Sequence, residues 1–351
     1  MSDGGKGSAA QSIDYDGASA RICYGDPRDE YAALDGGAGV LDFSRRRFIR
    51  ATGEERVEFL QGQLSADIGG LVEGGGCAAL LLTGQGRVAA MLRVYRRRED
   101  LLLATNAACL AGTRKGLELH LVADDCEFEN LSPAPAVGVV GPLAESSLRQ
   151  AGFEGHLDSD GYSISEGRIA GTAVTVLGRG CLRVPCFEVC GTAQDEFQAV
   201  VDQLVRQGAV RAGVEAYECL RVESGVARYG VDIDDGRLAL EARLRWAIHF
   251  AKGCYLGQEV IERAVSRGKL KRRLSLIALE APVVAGDRVA GGAESERITS
   301  VVESPRLGPI GFAYVADESS GQGSRIEIQT GQRTVAATVL AWPRSDALEG
   351  R

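Results

Sequence analysis

Residues 252–259 read Lys-Gly-Cys-Tyr-Leu-Gly-Gln-Glu, which puts an ammonium, a thiol, an aromatic ring, an amide and a carboxylate on one short segment. Cys254 lies between Gly253 and Gly257. Two glycines this close predict a tight loop in which backbone approaches a neighbour. A lysine two residues from a thiol promotes its nucleophilic form. Cys254 and Lys252 are therefore the candidate catalytic pair. The competing reading is a packed cysteine in an ordinary strand-to-helix turn.

The octapeptide resembles the signature of the YgfZ-type folate-binding proteins, relatives of the glycine-cleavage T protein (aminomethyltransferase). Leu220-Arg221-Val222-Glu223-Ser224-Gly225 and Tyr229-Gly230-Val231-Asp232-Ile233 are similar to two further segments of that group. So are Arg267-Gly268, Lys271-Arg272-Arg273-Leu274 and the stretch from Phe59 to Ile68. The likeness spans roughly residues 30–343. It implies an α+β fold, a T-protein-like two-segment folate-binding region followed by a small antiparallel β-barrel. It implies tetrahydrofolate as cofactor and a role in Fe–S cluster assembly or repair, and through it tRNA thiomodification. Fe–S proteins or their assembly machinery are the implied partners. The alternative is a folate-dependent aminomethyltransferase or other one-carbon transferase. Whether the chain is an enzyme stays open; if it is, it is a tetrahydrofolate-dependent transferase. In the T protein a glycine-rich turn precedes an aspartate pair, one of which assists methylene transfer to folate. The matching stretch here is Gly86-Arg87-Val88-Ala89-Ala90, with alanines in the carboxylate places. An alkyl group gives no general acid–base help, typically worth about 10²–10⁴-fold. In the strand before Gly53 the group often carries a tryptophan, and Arg46 stands there.

A folate offers a flat ring with a polar edge and a tail of carboxylates. Glu223, Gln258 and Glu259 are the candidates for the edge, and Tyr217 or Tyr255 for a stacking face. Arg228, Arg267, Lys269, Lys271, Arg272 and Arg273 are the candidates for the tail. The competing reading of the last group is a solvated strand end.

The 351 residues suffice for two or three domains. A net charge of −8 and no basic-aromatic stripe argue against direct nucleic-acid contact. No run approaches the roughly 18 apolar residues of a membrane span, and no secretory or transit signal is expected at the start. Nine scattered cysteines suggest reduced thiols in a cytoplasmic setting. Cys181, Cys186 and Cys190 cluster, but strand alternation puts Cys186 and Cys190 on one packed face. With three histidines and none at ligand spacing, no metal site is expected.

Four stretches are expected: a disordered tail over 1–20, α+β segments over 21–134 and 135–268, and a β-barrel over 269–345. Strands are predicted at 47–51, 77–82, 87–97 and 101–104. A helix follows a Thr52–Glu55 capping box, and another fills 105–119. In the second segment, strands at 136–140, 168–177 and 182–189 precede a helix opening near 192. Pro142 is placed in a helix first turn, and residues 212–223 form the helix into the signature. Short strands split by Gly, Pro and Ser fill the remainder.

Overall fold

The structure, a computed structural model, describes residues 11–343. It opens with a hairpin, β1 (Ser12–Asp14) and β2 (Ser19–Arg21). Residues 1–10 of the expected tail lie outside the described residues, but 11–20 are folded. Tyr15, 2% exposed, is the anchor. Its ring lies 4.6 Å from the Arg45 guanidinium and 4.2 Å from that of Arg228. Asp16 and Gly17 turn the chain with left-handed φ of 59° and 84°. One buried aromatic outweighs a solvated composition around it.

The chain continues through α1 (Pro27–Gly36), β3 (Gly39–Asp42), β4 (Arg46–Thr52), α2 (Arg56–Gln63), β5 (Gly76–Leu82), β6 (Val88–Arg96), β7 (Leu101–Asn106), α3 (Leu110–Glu118) and β8 (Glu127–Asn130). Five of these strands form an antiparallel sheet in the order β5-β6-β7-β4-β8. The expected capping box is absent, and α2 begins only at Arg56. At Gly53 (φ 99°) a Cβ would stand 2.1 Å from the Asp125 carbonyl oxygen. That approach docks the turn on Asp125 instead. Glu54 N–H donates to Asp125 Oδ2 at 3.0 Å, and Asp125 N–H donates to Glu55 Oε2 at 2.6 Å. The helix expected over 105–119 also starts late. β7 runs on to Asn106 because Thr105 and Asn106 pair with Arg47 and Arg46.

Next come β9 (Ala136–Val140), α4 (Ala144–Gln150), β10 (Ile164–Ile169), β11 (Thr172–Gly178), β12 (Cys186–Cys190), α5 (Gln194–Arg206), β13 (Val210–Arg211) and α6 (Val214–Glu223). The second sheet has the order β10-β11-β12-β9-β3-β13, so β3 crosses over from the first half. The expected strand over 168–177 is a hairpin. Ala170 and Gly171 both take positive φ (51° and 81°), and Ile169 pairs with Thr172. Pro142 lies before α4, not in its first turn. The two sheets face each other through Phe48, Tyr95 and Leu102 on one side and Leu41, Cys186 and Cys190 on the other. α2 and α3 cover the outer face of the first sheet, with Leu60 and Leu117 on Leu92 and Leu103. α4 and α5 cover the second, with Leu148 and Val200 on Val139 and Val189.

The signature segment leads into α7 (Gln258–Arg267). Six strands then make one antiparallel sheet: β14 (Arg272–Leu279), β15 (Arg288–Val289), β16 (Ile298–Ser304), β17 (Gly308–Ala316), β18 (Arg325–Thr330) and β19 (Arg333–Val339). Its order is β15-β18-β19-β14-β17-β16. A bridge between Arg288 and Arg297 brings the two end strands together, so the sheet curls. Its interior holds Ile277, Val315 and Ile328. Among the described residues no helix is long and apolar enough to cross a membrane.

Candidate functional site

A cavity of about 110 Å3 opens where the inner faces of the two sheets meet α6 and the N-terminal hairpin. Side-chain alternation aims Met91 and Arg93 of β6 into it, and the start of β4 supplies Arg46. One wall is apolar and aromatic: Met91, Tyr162, Tyr229 and Trp246, backed by the core shared with the curled sheet. The opposite wall is cationic. Arg45, Arg46 and Arg179 gather round the Phe43 ring, 4.7, 5.2 and 5.2 Å from its centre. Such stacking hides guanidinium carbons while leaving the N–H edges free.

Glu188 stands behind this wall on the β12 face shared with Cys186 and Cys190. It is fully buried, 2.9 Å from Arg93 and 3.6 Å from Arg46. Burial alone would raise its pKa, but Arg93, Arg46 and Arg179 together hold it below the usual carboxylate range. Burial and the neighbouring Arg179 push Arg46 down to about 10, so it stays charged at neutral pH. Arg93 moves the other way, because Glu188 more than offsets its burial. Both carboxylate oxygens of Glu188 lack a well-directed hydrogen bond.

Of the residues singled out in the sequence, Tyr217 and Arg228 line this cavity. Tyr217 packs edge-on against Phe43 at 5.7 Å. Arg228 covers the Tyr15 ring and lies 3.6 Å from Asp16. Asp16, carried on the hairpin tip, is the lining carboxylate among the described residues, and it also lies 3.5 Å from Arg45. Next to them Arg221 is fully buried, bound to Glu218 at 2.6 Å, Asp232 at 2.8 Å and Ser300 Oγ at 2.6 Å.

The other singled-out residues lie elsewhere. Glu223 is buried in a separate knot. It accepts from Tyr31 Oη at 2.9 Å and from Ser304 Oγ, with Arg183 at 2.9 Å and Arg306 at 3.3 Å. It ties α6 to α1 and β16. Lys252 is not turned toward Cys254. Its ammonium donates to the carbonyls of Gln61, Leu64 and Ala66 at 2.5, 2.6 and 2.8 Å, capping the end of α2. Burial lowers its pKa to about 8, and Asp67 and Cys77 act against that. Cys254 is exposed, alone in this among the nine thiols. Tyr255 is a core residue. Gln258 Oε1 accepts from Tyr255 N–H at 3.3 Å, and its amide donates to Glu262 at 2.6 Å. Glu259 pairs along α7 with Arg263 at the surface. Arg267, Lys269, Lys271 and Arg272 line a separate open groove along α7; Arg273 pairs with Asp317.

Residues 15–252 match the GCVT N-terminal domain, and residues 272–346 match the glycine cleavage T-protein C-terminal barrel domain. The chain belongs to the glycine-cleavage T-protein family. Within the family it is 31% identical over 342 residues to an aminomethyltransferase of Rubrobacter xylanophilus, covering 95% of this chain and 90% of that one. It is 28% identical over 348 residues to one from Nostoc sp., covering 90% and 86%. The crystal structure of the glycine cleavage system aminomethyltransferase T from Bartonella henselae superposes with a TM-score of 0.86 at 21% identity, covering 95% and 94% of the two chains. The T-protein-like α+β fold with a C-terminal curled antiparallel sheet is thereby established.

Against that family frame, β6 carries no carboxylate at all: Ala89, Ala90 and Met91 stand in succession, and Met91 is the one facing the cavity. Sequence reasoning missed Arg45, Arg93, Arg179 and Asp16. A signal existed for Arg93, a lone charge between Leu92 and Val94 in an apolar strand. For Arg179 and Asp16 there was none locally, since their position is set by sheet packing and a turn.

Proposed function

We propose that this chain binds a reduced folate in the central cavity as a YgfZ-type member of the T-protein family, and serves Fe–S cluster assembly or repair instead of glycine cleavage. The observation that carries the reading is Met91 on the cavity wall of β6, directly after Ala89 and Ala90. A thioether packs against a flat ring but moves no proton. Met91, Tyr229 and Trp246 offer the ring an apolar face. Arg228 at the rim suits a tail carboxylate. A reduced folate, when bound, supplies a nitrogen that carries a one-carbon unit. Cys254, exposed and outside the cavity, is open to a macromolecular partner. Nine free thiols fit a reducing, cytoplasm-like compartment. Effects on tRNA thiomodification follow indirectly, through Fe–S enzymes.

Calorimetry and thermal melting with tetrahydrofolate test the first half. A ligand at 100 times its Kd should stabilise the fold by about 2.7 kcal/mol; no heat and no shift at millimolar ligand would sink it. Complementation of an Fe–S maturation defect by the parent, and its loss in a stably folded Cys254→Ser variant, tests the second. Full complementation by Cys254→Ser removes the thiol from the mechanism.

A second reading is aminomethyl transfer itself, the activity for which the Nostoc and Rubrobacter relatives are named. Asp16, a carboxylate lining the cavity from the hairpin, is the observation in its favour. Aminomethyl transfer from H-protein that disappears in Asp16→Asn would establish it.

A further inference from the structure

The cavity holds more positive charge than its own carboxylates neutralise. Six arginines line it: Arg45, Arg46, Arg93, Arg179, Arg221 and Arg228. Four carboxylates are ion-paired with them, Asp16, Glu188, Glu218 and Asp232, leaving an excess of two positive charges. The excess has a location. Arg221 has two carboxylates of its own. Arg45 and Arg228 share Asp16, and Arg46 and Arg93 share Glu188. Arg179 is 6% exposed, and its Nε and Nη1 have no hydrogen-bond partner.

The pattern extends to its neighbours. The Nε groups of Arg45, Arg46 and Arg228 are also buried without a hydrogen bond. Buried donors are ordinarily satisfied, and a buried unpaired guanidinium is among the most costly groups a fold can carry. Both Glu188 oxygens behind them are buried without a well-directed hydrogen bond as well, but the carboxylates remain fewer than the guanidiniums, and Arg179 has no carboxylate of its own. What completes the guanidiniums is rich in acceptors and negatively charged. A neutral ring placed on the aromatic wall leaves the two excess charges as they are.

We propose that the arginine wall, centred on Arg179 and completed by Arg46 and Arg45, is a binding site for a doubly charged oxyanion group of a small molecule, a phosphate or a dicarboxylate. The group sits opposite the aromatic wall. Ligands of this protein therefore carry, or are accompanied by, a dianion. The inference concerns charge and not ring chemistry, and it stands whether or not the ligand is a folate.

The test uses the full chain without folate. Binding of sodium phosphate and of sodium glutarate is measured by calorimetry and thermal melting, with sodium chloride at matched ionic strength. Saturable stabilisation by phosphate or glutarate beyond that by chloride is expected. Phosphate alone identifies a phosphate-bearing ligand, and glutarate alone a dicarboxylate. Arg179→Gln should bind at least about tenfold more weakly. Arg267→Gln, on the separate groove, should bind as the parent does. Three results overturn the proposal: no saturable binding of either anion, equal stabilisation by chloride, or undiminished binding in Arg179→Gln. If Arg179→Gln does not fold, the comparison of the three salts on the parent chain still decides.

Discussion

Glu188 and Lys252 are two buried charges with opposite partners, and each dictates a measurable behaviour. Glu188 has a folded pKa below its unfolded one. It therefore adds stability that is fully present above the unfolded value near about 4.3 and lost as pH falls through the lower folded value. Urea unfolding should show stability declining on the acid side of about pH 4.3, and Glu188→Gln should flatten that decline. Glu188→Ala should cost about 3–5 kcal/mol at neutral pH, because Arg93 and Arg46 lose their shared partner; a loss under 1 kcal/mol would contradict the pairing. Lys252→Met leaves three carbonyls at the end of α2 without their donor. It should destabilise the fold by roughly 1–3 kcal/mol yet leave the alkylation rate of Cys254 unchanged. A slower alkylation would restore the pairing of Lys252 with the thiol that the sequence suggested.

At the scale of elements, the glycines around the signature differ in what they are for. At Gly257 (φ 82°) a Cβ would stand 2.5 Å from the Thr83 carbonyl oxygen, so this residue seats the start of α7 on the β5–β6 turn. Gly268 (φ 62°) ends α7 with nothing near it. Gly268→Ala should cost about 1–2 kcal/mol, the left-handed penalty alone. Gly257→Ala should cost clearly more, because the clash adds to the penalty. Equal losses in chemical denaturation would refute the close approach. Much of this architecture could be read from sequence. Residues 136–140 are a strand as predicted, since an apolar run bounded by turn residues admits few other structures. The Thr52–Glu55 segment could not, because its capping groups come from Asp125, far along the chain. The division at Ala170 and Gly171 was hidden by β-formers on either side.

For the molecule as a whole, the cavity and the exposed thiol are separate places, so their variants should not interact. Cys254→Ser should leave the affinity for folate, phosphate or glutarate unchanged, and a change beyond about threefold, roughly 0.7 kcal/mol, would mean that the two sites communicate. The candidate site was less readable than the fold because its residues come together only in three dimensions. Tyr217 and Arg228 were found because they flank a recognisable segment. Arg46, Arg93 and Arg179 come from β4, β6 and the end of β11, and meet only when two sheets are stacked. The N-terminal hairpin carries this furthest. Tyr15 donates to Glu218 across 203 residues of sequence and packs against Arg228. At about 5–20 residues per second, a ribosome needs on the order of ten to forty seconds to deliver those partners. Throughout that interval the hairpin can pack on Arg45 but lacks Glu218 and Arg228, and an early arrest of translation releases a chain whose central cavity lacks a wall.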